Sequence, residues 1–143
     1  MGNVSKILAN KGNEIFSVTP HTTVFRALEI MDEKNVNALL VMEDKKLVGI
    51  FTEKDYARKV VLKGKTSKDM LINELMTRDL ITVTPDSTID ECMELMTHKF
   101  IRHLPVLEKN KVTGVISIGD VVKHIIDEQK FIIENLEHYI TGT

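Results

Sequence analysis

Apolar residues recur with the spacing of an amphipathic helix in two separate stretches of the chain. Each stretch places four apolar side chains at positions i, i+3, i+4 and i+7, which share one face of a helix. The two sets are Val24, Ala27, Leu28 and Met31, and Ile89, Cys92, Met93 and Met96. Thr22 or Thr23 can cap the first helix, and Thr88 with Glu91 fits a capping box for the second. The pattern predicts two similar helices, one in each half.

Short apolar runs of strand length accompany both helices. Each helix follows a short strand that a proline ends, Pro20 in one case and Pro85 in the other. Each helix precedes two apolar runs that flank a polar turn, which predicts a β-hairpin. The predicted strands are residues 15–18, 38–42, 47–51, 81–83, 104–107 and 112–117. Further helices are predicted over residues 4–10, 55–62 and 72–76, and from near Asp120 to near Tyr139.

One seven-residue string occurs twice. It reads Gly49-Ile50-Phe51-Thr52-Glu53-Lys54-Asp55 and returns 65 positions later as Gly114-Val115-Ile116-Ser117-Ile118-Gly119-Asp120. Carried back to Val18, the same shift covers 38 positions without a gap, and 13 of them are identical. A self-match of this length indicates a tandem duplication. We therefore expect a closed pair whose halves pack on each other, with residues 1–65 as the first repeat and 66–143 as the second.

Size and charge narrow the classes of function. The chain has 143 residues, and each unit of about 60 residues is marginal by itself, so the two units should share a core. A formal net charge of −2 gives no support to a nucleic-acid or polybasic membrane partner. No apolar run approaches the ~18 residues of a membrane span, and the N-terminus lacks a signal-peptide core. We expect a cytoplasmic protein.

The single cysteine, Cys92, lies on the predicted apolar face of the second helix. A lone cysteine excludes an intramolecular disulfide and the two-cysteine zinc motifs. A buried small hydrophobe is the favoured interpretation, and a reactive thiol is the alternative. The five histidines are scattered, and the chain has no nucleophile elbow, phosphate-binding loop or HExxH motif. The sequence therefore predicts neither catalytic chemistry nor a metal site.

The repeated string places an aspartate three positions after a hydroxyl residue. Thr52 with Asp55, and Ser117 with Asp120, fit a helix capping box, and capping alone would explain both pairs. The alternative is a ligand site. A helix start presents unpaired N–H groups to phosphate, and a nearby carboxylate can accept both hydroxyls of a ribose. Glu would serve capping equally well, yet both copies have Asp, which favours the ligand site slightly.

These motifs together resemble those of the cystathionine β-synthase (CBS) domain, and the whole chain resembles a tandem CBS pair. The motifs are the repeated Gly-x-x-Thr/Ser-x-x-Asp string, Glu74-Leu75-Met76-Thr77, Val-Thr-Pro at 18–20 and 83–85, and His103-Leu104-Pro105-Val106. The resemblance implies an α+β fold in which two β-α-β-β-α repeats are related by pseudo-two-fold symmetry. It covers nearly the whole chain, so no residues are left for a catalytic domain.

The resemblance also implies two ligand sites whose walls come from both repeats. In ligand-binding relatives the aspartate binds ribose and the hydroxyl residue lies near phosphate. Asp55 with Thr52 would then serve one site, and Asp120 with Ser117 and Gly119 the other. At the Asp120 site the base would lie beside Phe16, Val36, Asn37 and Ala38, and the phosphate beside Arg102 and His103. At the Asp55 site the base would lie beside Ile81, Ile101, Arg102 and His103, and the phosphate beside Asn37 and Ala38.

The two implied sites differ at one matched position. The internal shift pairs Arg102 with Asn37, and arginine can hold phosphate with a charged fork whereas asparagine cannot. We therefore expect phosphate to be held better at the Asp120 site. The basic residues on which the Asp55 site could rely instead are Lys54, Arg58 and Lys59. A surface ion pair is the alternative role for Arg102, and a structural role is the alternative for His103.

The leading functional hypothesis is a regulatory sensor of an adenine nucleotide. The resemblance implies AMP, ADP, ATP, NAD or S-adenosylmethionine as the regulatory ligand, with no required cofactor, and a homodimer as the assembly. Ligand binding would shift the angle between repeats or protomers, and a separate, unidentified target protein would respond. A ligand-free structural or dimerisation module is the second hypothesis, and an enzyme is the third. The apolar face of the last helix fits either a core contact or a dimer contact.

Overall fold

The computed structural model describes residues 2–142 of the chain. Its helices are α1 (Val4–Lys11), α2 (Val24–Lys34), α3 (Glu53–Tyr56), α4 (Ile89–Lys99) and α5 (Ile118–Thr141). Its strands are β1 (Ser17–Val18), β2 (Ala38–Glu43), β3 (Lys46–Thr52), β4 (His103–Glu108) and β5 (Lys111–Ser117). A π-helical turn, Ala57–Val61, continues α3, and a 3-10 turn covers Ile72–Glu74. The mixed α and β composition that the sequence predicts is confirmed.

The chain divides into two compact units. Unit 1 contains the described residues of 1–13, 82–107 and 114–143, and unit 2 contains residues 14–81 and 108–113. Helix α1 therefore groups with elements of the second repeat, in unit 1, although the predicted boundary places it in the first repeat. The predicted domains, 1–65 and 66–143, follow the sequence repeat rather than these units and remain a prediction.

Unit 2 is built on a three-stranded sheet in the order β1-β2-β3. Strand β1 runs parallel to β2, and β2 runs antiparallel to β3 with Val41 opposite Gly49. The turn between β2 and β3 places Asp44 and Lys45 at positive φ, which matches the right-handed twist of a hairpin. One face of the sheet packs against α2 in a cluster of buried apolar residues. That cluster contains Val18, Val24, Ala27, Met31, Leu39, Val41, Phe51, Val60, Ile72, Leu75 and Met76.

In the second repeat, β4 and β5 form a two-stranded sheet. The segment before α4 contacts this sheet through a single parallel bridge, between Val83 and Val106. The prediction of a strand over 81–83 was therefore wrong in extent. In the first repeat Leu40 donates its N–H to the carbonyl of Phe16 at 3.2 Å, which extends the parallel ladder. Pro105 occupies the matching position in β4 and has no N–H to donate. The same ladder therefore cannot continue past Val83.

The duplication is visible in burial as well as in sequence. Strands β2 and β4 have the same succession of exposed, half-buried and buried positions, and so do β3 and β5. Helices α2 and α4 are both 11 residues long and begin at a threonine cap, Thr23 or Thr88. Each repeat therefore folds by the same local rules, which confirms the two β-α-β-β-α repeats.

The glycine that opens each copy of the repeated string lies against a bulky side chain. A Cβ on Gly49 would come within 2.6 Å of Met76 Sδ, and a Cβ on Gly114 would come within 2.7 Å of Leu8 Cδ2. Neither distance is compatible with a real methyl contact, so larger residues would push these neighbours aside. Close approach therefore explains the repeated glycine.

Helix α4 ends at a residue poorly suited to its backbone conformation. Phe100 has a φ of 54° in the left-handed region and a side chain that is 79 % exposed. Asn35 ends α2 at the same φ, and asparagine tolerates this region better than phenylalanine. We expect Phe100→Asn to stabilise the fold by about 0.5–1 kcal/mol and raise the melting temperature by roughly 2–3 °C. Thermal unfolding measures this gain in stability. Phe100→Ala keeps the backbone strain and should therefore be stabilised less than Phe100→Asn. Equal gains in melting temperature for the two variants would contradict this explanation.

Burial of Cys92 confirms the favoured interpretation of that residue. Its side chain is fully buried on α4, and burial together with the neighbouring charge of Glu91 raises the pKa of the thiol to about 11. A thiol with such a pKa stays protonated and unreactive near neutrality.

No helix within residues 2–142 is both long enough and apolar enough to cross a bilayer.

Candidate functional site

Helix α5 starts at the aspartate-containing string of the second repeat, in unit 1. Ser117 is the cap, and its Oγ accepts from the backbone N–H of Asp120 at 3.2 Å. In return, the Ser117 N–H donates to Asp120 Oδ2 at 2.8 Å. These two bonds complete the capping box that the spacing predicts. They also fix the carboxylate beside the positive end of a 24-residue helix.

Lys11, at the end of α1, also binds this carboxylate. Its Nζ donates to Asp120 Oδ2 at 2.7 Å and to the carbonyl of Val115 at 2.8 Å. The Lys11 and Ser117 contacts both use Oδ2, and the Asp120 side chain keeps 23 % of its surface exposed. The carboxylate is thus oriented by the protein but still accessible.

The charge state of Asp120 follows from these contacts. Burial by itself would raise the pKa of the carboxyl, but the hydrogen bonds and charge of Lys11 and the bonds from Ser117 outweigh it. The pKa is therefore lower than that of an ordinary aspartate, and Asp120 is ionised near neutral pH. An ionised carboxylate only accepts hydrogen bonds, which is what two ribose hydroxyls require.

Arg102 and His103 lie next to the same helix start. The carbonyl of Arg102 accepts from the N–H of Ile118, the first residue of α5, at 2.9 Å, while the Arg102 side chain is exposed. Burial lowers the pKa of His103; the charge of Asp120 opposes this, and the charges of Lys11 and Arg102 add to it. His103 is therefore neutral near pH 7, and the positive charge of this cluster comes from Arg102 and Lys11.

The first repeat builds the equivalent helix start in unit 2. Thr52 caps α3, its Oγ1 accepting from the N–H of Asp55 at 3.2 Å, and the Thr52 N–H donates to Asp55 Oδ2 at 3.0 Å. The carbonyl of Asn37 accepts from the N–H of Glu53 at 3.2 Å, as Arg102 does for Ile118. Ala38 pairs with Thr52 across the hairpin. Asn37 and Ala38 therefore lie beside α3, as Arg102 and His103 lie beside α5.

The Asp55 and Asp120 carboxylates differ in how many of their oxygens accept hydrogen bonds from the protein. Asp55 Oδ1 accepts from Thr77 Oγ1 at 3.1 Å and lies 3.1 Å from Lys59 Nζ, while Oδ2 is held by Thr52. Only 10 % of the Asp55 side chain is exposed, against 23 % for Asp120. Lys59 is further tied to the carbonyl of Leu75 at 2.8 Å. A ligand at Asp55 would have to displace more internal contacts than one at Asp120.

The remaining residues implied by the resemblance are spread over both units. Phe16, Val36 and Ile81 are half-buried in unit 2, and the Lys34 ammonium lies 5.6 Å from the Phe16 ring centre. Ile101 is half-buried in unit 1, and its N–H donates to the carbonyl of Met96. The exposed members of the set are Lys54, Arg58 and Gly119. Their role in ligand binding remains a prediction.

A groove of unit 1 lies elsewhere, along α1 and α5. It has a volume of about 450 Å³ and is lined by Lys6, Ala9, Asn10, His124, Asp127, Glu128 and Phe131. None of the predicted ligand-binding residues lines it. Its polar groups face one another, since His124 Nε2 lies 3.4 Å from Glu128 Oε1 and the Gly2 N–H donates to the same oxygen. We therefore place the candidate site at the helix starts and not in this groove.

Sequence reasoning missed two residues that contact the aspartates. Thr77 belongs to the motif Glu74-Leu75-Met76-Thr77, which is part of the family resemblance. That motif could therefore have indicated Thr77. Lys11 stands 109 positions before Asp120, and no local pattern pairs them. The sequence predicts Lys59, Lys54 or Arg58 as the basic residue near Asp55, and the structure places Lys59 there. Its i, i+4 spacing from Asp55 puts the two side chains on the same side of the helix.

Comparison with known proteins matches both repeats to one family. The CBS domain model matches residues 4–62 and 72–127. The CBS domain-containing protein CBSX3, mitochondrial, of Arabidopsis thaliana is 37 % identical over 148 aligned residues, which cover 97 % of this chain and 72 % of the relative.

Solved structures agree with this assignment. A putative signal-transduction protein with CBS domains from Burkholderia ambifaria MC40-6 is 46 % identical with a TM-score of 0.86, over 89 % of this chain and 96 % of that one. The CBS domain pair of protein MJ0100, in complex with 5′-methylthioadenosine and S-adenosyl-L-methionine, is 26 % identical with a TM-score of 0.76, over 86 % and 98 % of the two chains. The family model matches twice, the burial pattern repeats, and these relatives resemble the chain over most of its length. The chain therefore belongs to the CBS domain family as a tandem pair.

Proposed function

We propose that this chain is a regulatory module that binds an adenosine-containing ligand and signals its presence to a separate protein through a change of conformation. The ligands considered are AMP, ADP, ATP, NAD and S-adenosylmethionine. The protein itself carries out no chemistry on the ligand. We further propose that it acts as a homodimer; its location in the cytoplasm remains a prediction.

The observation that carries the proposal is the cluster at the start of α5. An ionised, partly exposed carboxylate, Asp120, stands beside a helix N-terminus and two cations, Arg102 and Lys11. The carboxylate suits ribose hydroxyls, and the helix start with the cations suits phosphate. The related CBS pair that holds two adenosine compounds adds support, because it is similar to this chain over most of its length.

The same geometry indicates an order of occupancy. Asp120 binds its protein partners through one oxygen, whereas Asp55 is engaged through both. Asn37 stands where the other repeat has Arg102, so the first repeat lacks an arginine at this matched position. We expect the Asp120 site to fill first and the Asp55 site to bind more weakly or not at all.

A ligand-free structural or dimerisation module is the second candidate, because both capping boxes are complete without a ligand. A thermal-shift screen with the five ligands separates the candidates. A ligand present at 100 times its Kd should stabilise the fold by about 2.7 kcal/mol, and at least one of the five should do so. An unchanged melting temperature with all five would favour the structural module.

A further inference from the structure

The Lys11 side chain occupies the Asp120 oxygen that a bound ribose would need. Lys11 Nζ donates to Asp120 Oδ2 at 2.7 Å, and the Ser117 N–H donates to the same oxygen at 2.8 Å. A carboxylate oxygen has about two lone pairs, so these two donors fill Oδ2. A ribose that places one hydroxyl on each carboxylate oxygen therefore has to displace one of them.

Lys11 is the donor that can leave. The Ser117 N–H belongs to the backbone, and the capping box at the start of α5 holds it in place. Lys11 reaches the carboxylate from the end of α1 through a flexible side chain that is 35 % exposed. Breaking a partly exposed ion pair costs less free energy than opening a helix cap. A ribose would therefore displace Lys11 and leave the cap intact.

At the aspartate of the first repeat, Asp55, the matching contacts come from the backbone. Thr77 exchanges two backbone hydrogen bonds with Ile50, at 2.9 and 3.0 Å, and its hydroxyl donates to Asp55 Oδ1 at 3.1 Å. Around the second aspartate, the carbonyl 65 positions after Ile50 and the carboxylate itself both accept from the Lys11 ammonium. One flexible side chain thus takes the place of a backbone bridge, and it can move away without disrupting a strand.

A phosphate can accept the ammonium that the ribose displaces. Burial lowers the pKa of His103, and the charge of Asp120 opposes this. The charges of Lys11 and Arg102 both add to the lowering of that pKa, so both cations lie near His103. A lysine ammonium binds phosphate as a point charge, so Lys11 can exchange the carboxylate for a phosphate beside Arg102. Adenosine has no anionic group to offer in exchange.

We propose that Lys11 competes with the ribose for Asp120 and thereby makes this site selective for adenosine ligands that carry a phosphate. This selectivity rests on the proposed function and narrows the class of ligand. Of the ligands considered, AMP, ADP, ATP and NAD meet the condition.

The first test compares Lys11→Met with Lys6→Met in calorimetric titrations with adenosine and AMP. Both variants remove one exposed lysine charge from α1, but Lys6 lines the separate groove along α1 and α5. Lys11→Met should strengthen adenosine binding about fivefold, because the ribose no longer has to displace an ammonium. AMP binding should change less than about twofold, because the gain at the carboxylate offsets the loss at the phosphate. Lys6→Met should leave both affinities unchanged.

Salt gives a second readout that uses the unmodified chain. Adenosine is uncharged, so salt acts on its binding mainly through the ion pair of Lys11 with Asp120. Raising the salt concentration from about 0.05 M to about 0.5 M should strengthen adenosine binding roughly twofold in the unmodified chain, and by less in Lys11→Met. Equal responses to salt in the two proteins would contradict the competition.

The outcomes separate this selectivity from the proposed function. Adenosine binding that is unchanged or weaker in Lys11→Met would overturn the competition, while AMP binding to the unmodified chain would still support the proposed function. If neither protein binds either compound, the competition is also wrong, and the thermal-shift screen with all five ligands decides the proposed function independently.

Discussion

Replacing Asp120 by alanine should lower the affinity for AMP at least about 100-fold. The carboxylate is ionised, partly exposed and held beside the start of α5, so it can accept both ribose hydroxyls. Hydrogen bonds to a charged group contribute about 1.5–3 kcal/mol each, and the variant loses two of them. Calorimetric titration with AMP measures the effect on the tighter site.

The capping box makes a matched control necessary. Asp120→Ala also removes the carboxylate that accepts from the Ser117 N–H, which should destabilise the fold by about 1 kcal/mol. Glu91→Ala removes the equivalent carboxylate from the capping box of α4, which accepts from the Thr88 N–H at 3.3 Å. The control should lose similar stability and keep its affinity for AMP. Equal AMP affinity in the two variants would show that Asp120 is only a cap.

Replacing Arg102 by alanine should weaken the binding of AMP about tenfold and leave the binding of adenosine within about twofold. The Arg102 side chain is exposed beside the start of α5, and His103 is neutral near pH 7 because burial lowers its pKa. Arginine is therefore a main source of positive charge for a phosphate there. The difference between the two ligands isolates that contribution, because they differ only in the phosphate.

Salt and a second arginine test whether the effect is local. The loss should shrink at high ionic strength, since an exposed charge pair is screened. Arg26→Ala removes the same charge from α2, where the guanidinium pairs with Glu29 and Glu33, and should not change the affinity for AMP. A loss of adenosine binding equal to that of AMP would remove Arg102 from the phosphate site.

The fold was predictable because periodicity and duplication agree. The gap-free shift of 65 positions transfers each element from one repeat to the other, and the burial of β2 and β4 confirms it. Element ends were less predictable. The helix predicted over residues 55–62 instead starts at Glu53 and becomes a π-helical turn, and the one predicted over 72–76 is a shorter 3-10 turn. Single substitutions such as Pro105 decide how far a strand extends.

The candidate site was predictable only in part. The hydroxyl and aspartate of each helix start are neighbours in sequence, so local rules of capping locate them. Lys11 reaches Asp120 from a helix at the other end of the chain, and that contact depends on packing within unit 1. Which carboxylate is more exposed also depends on tertiary contacts, such as Thr77 and Lys59 on Asp55. Spacing rules carry no information on either point.

A crystal structure of the chain grown with AMP tests the central claim most directly. We expect both ribose hydroxyl oxygens within about 3 Å of the Asp120 carboxylate and the phosphate beside the start of α5 and Arg102. AMP bound away from Asp120, with the carboxylate still held only by Lys11 and Ser117, would contradict the account.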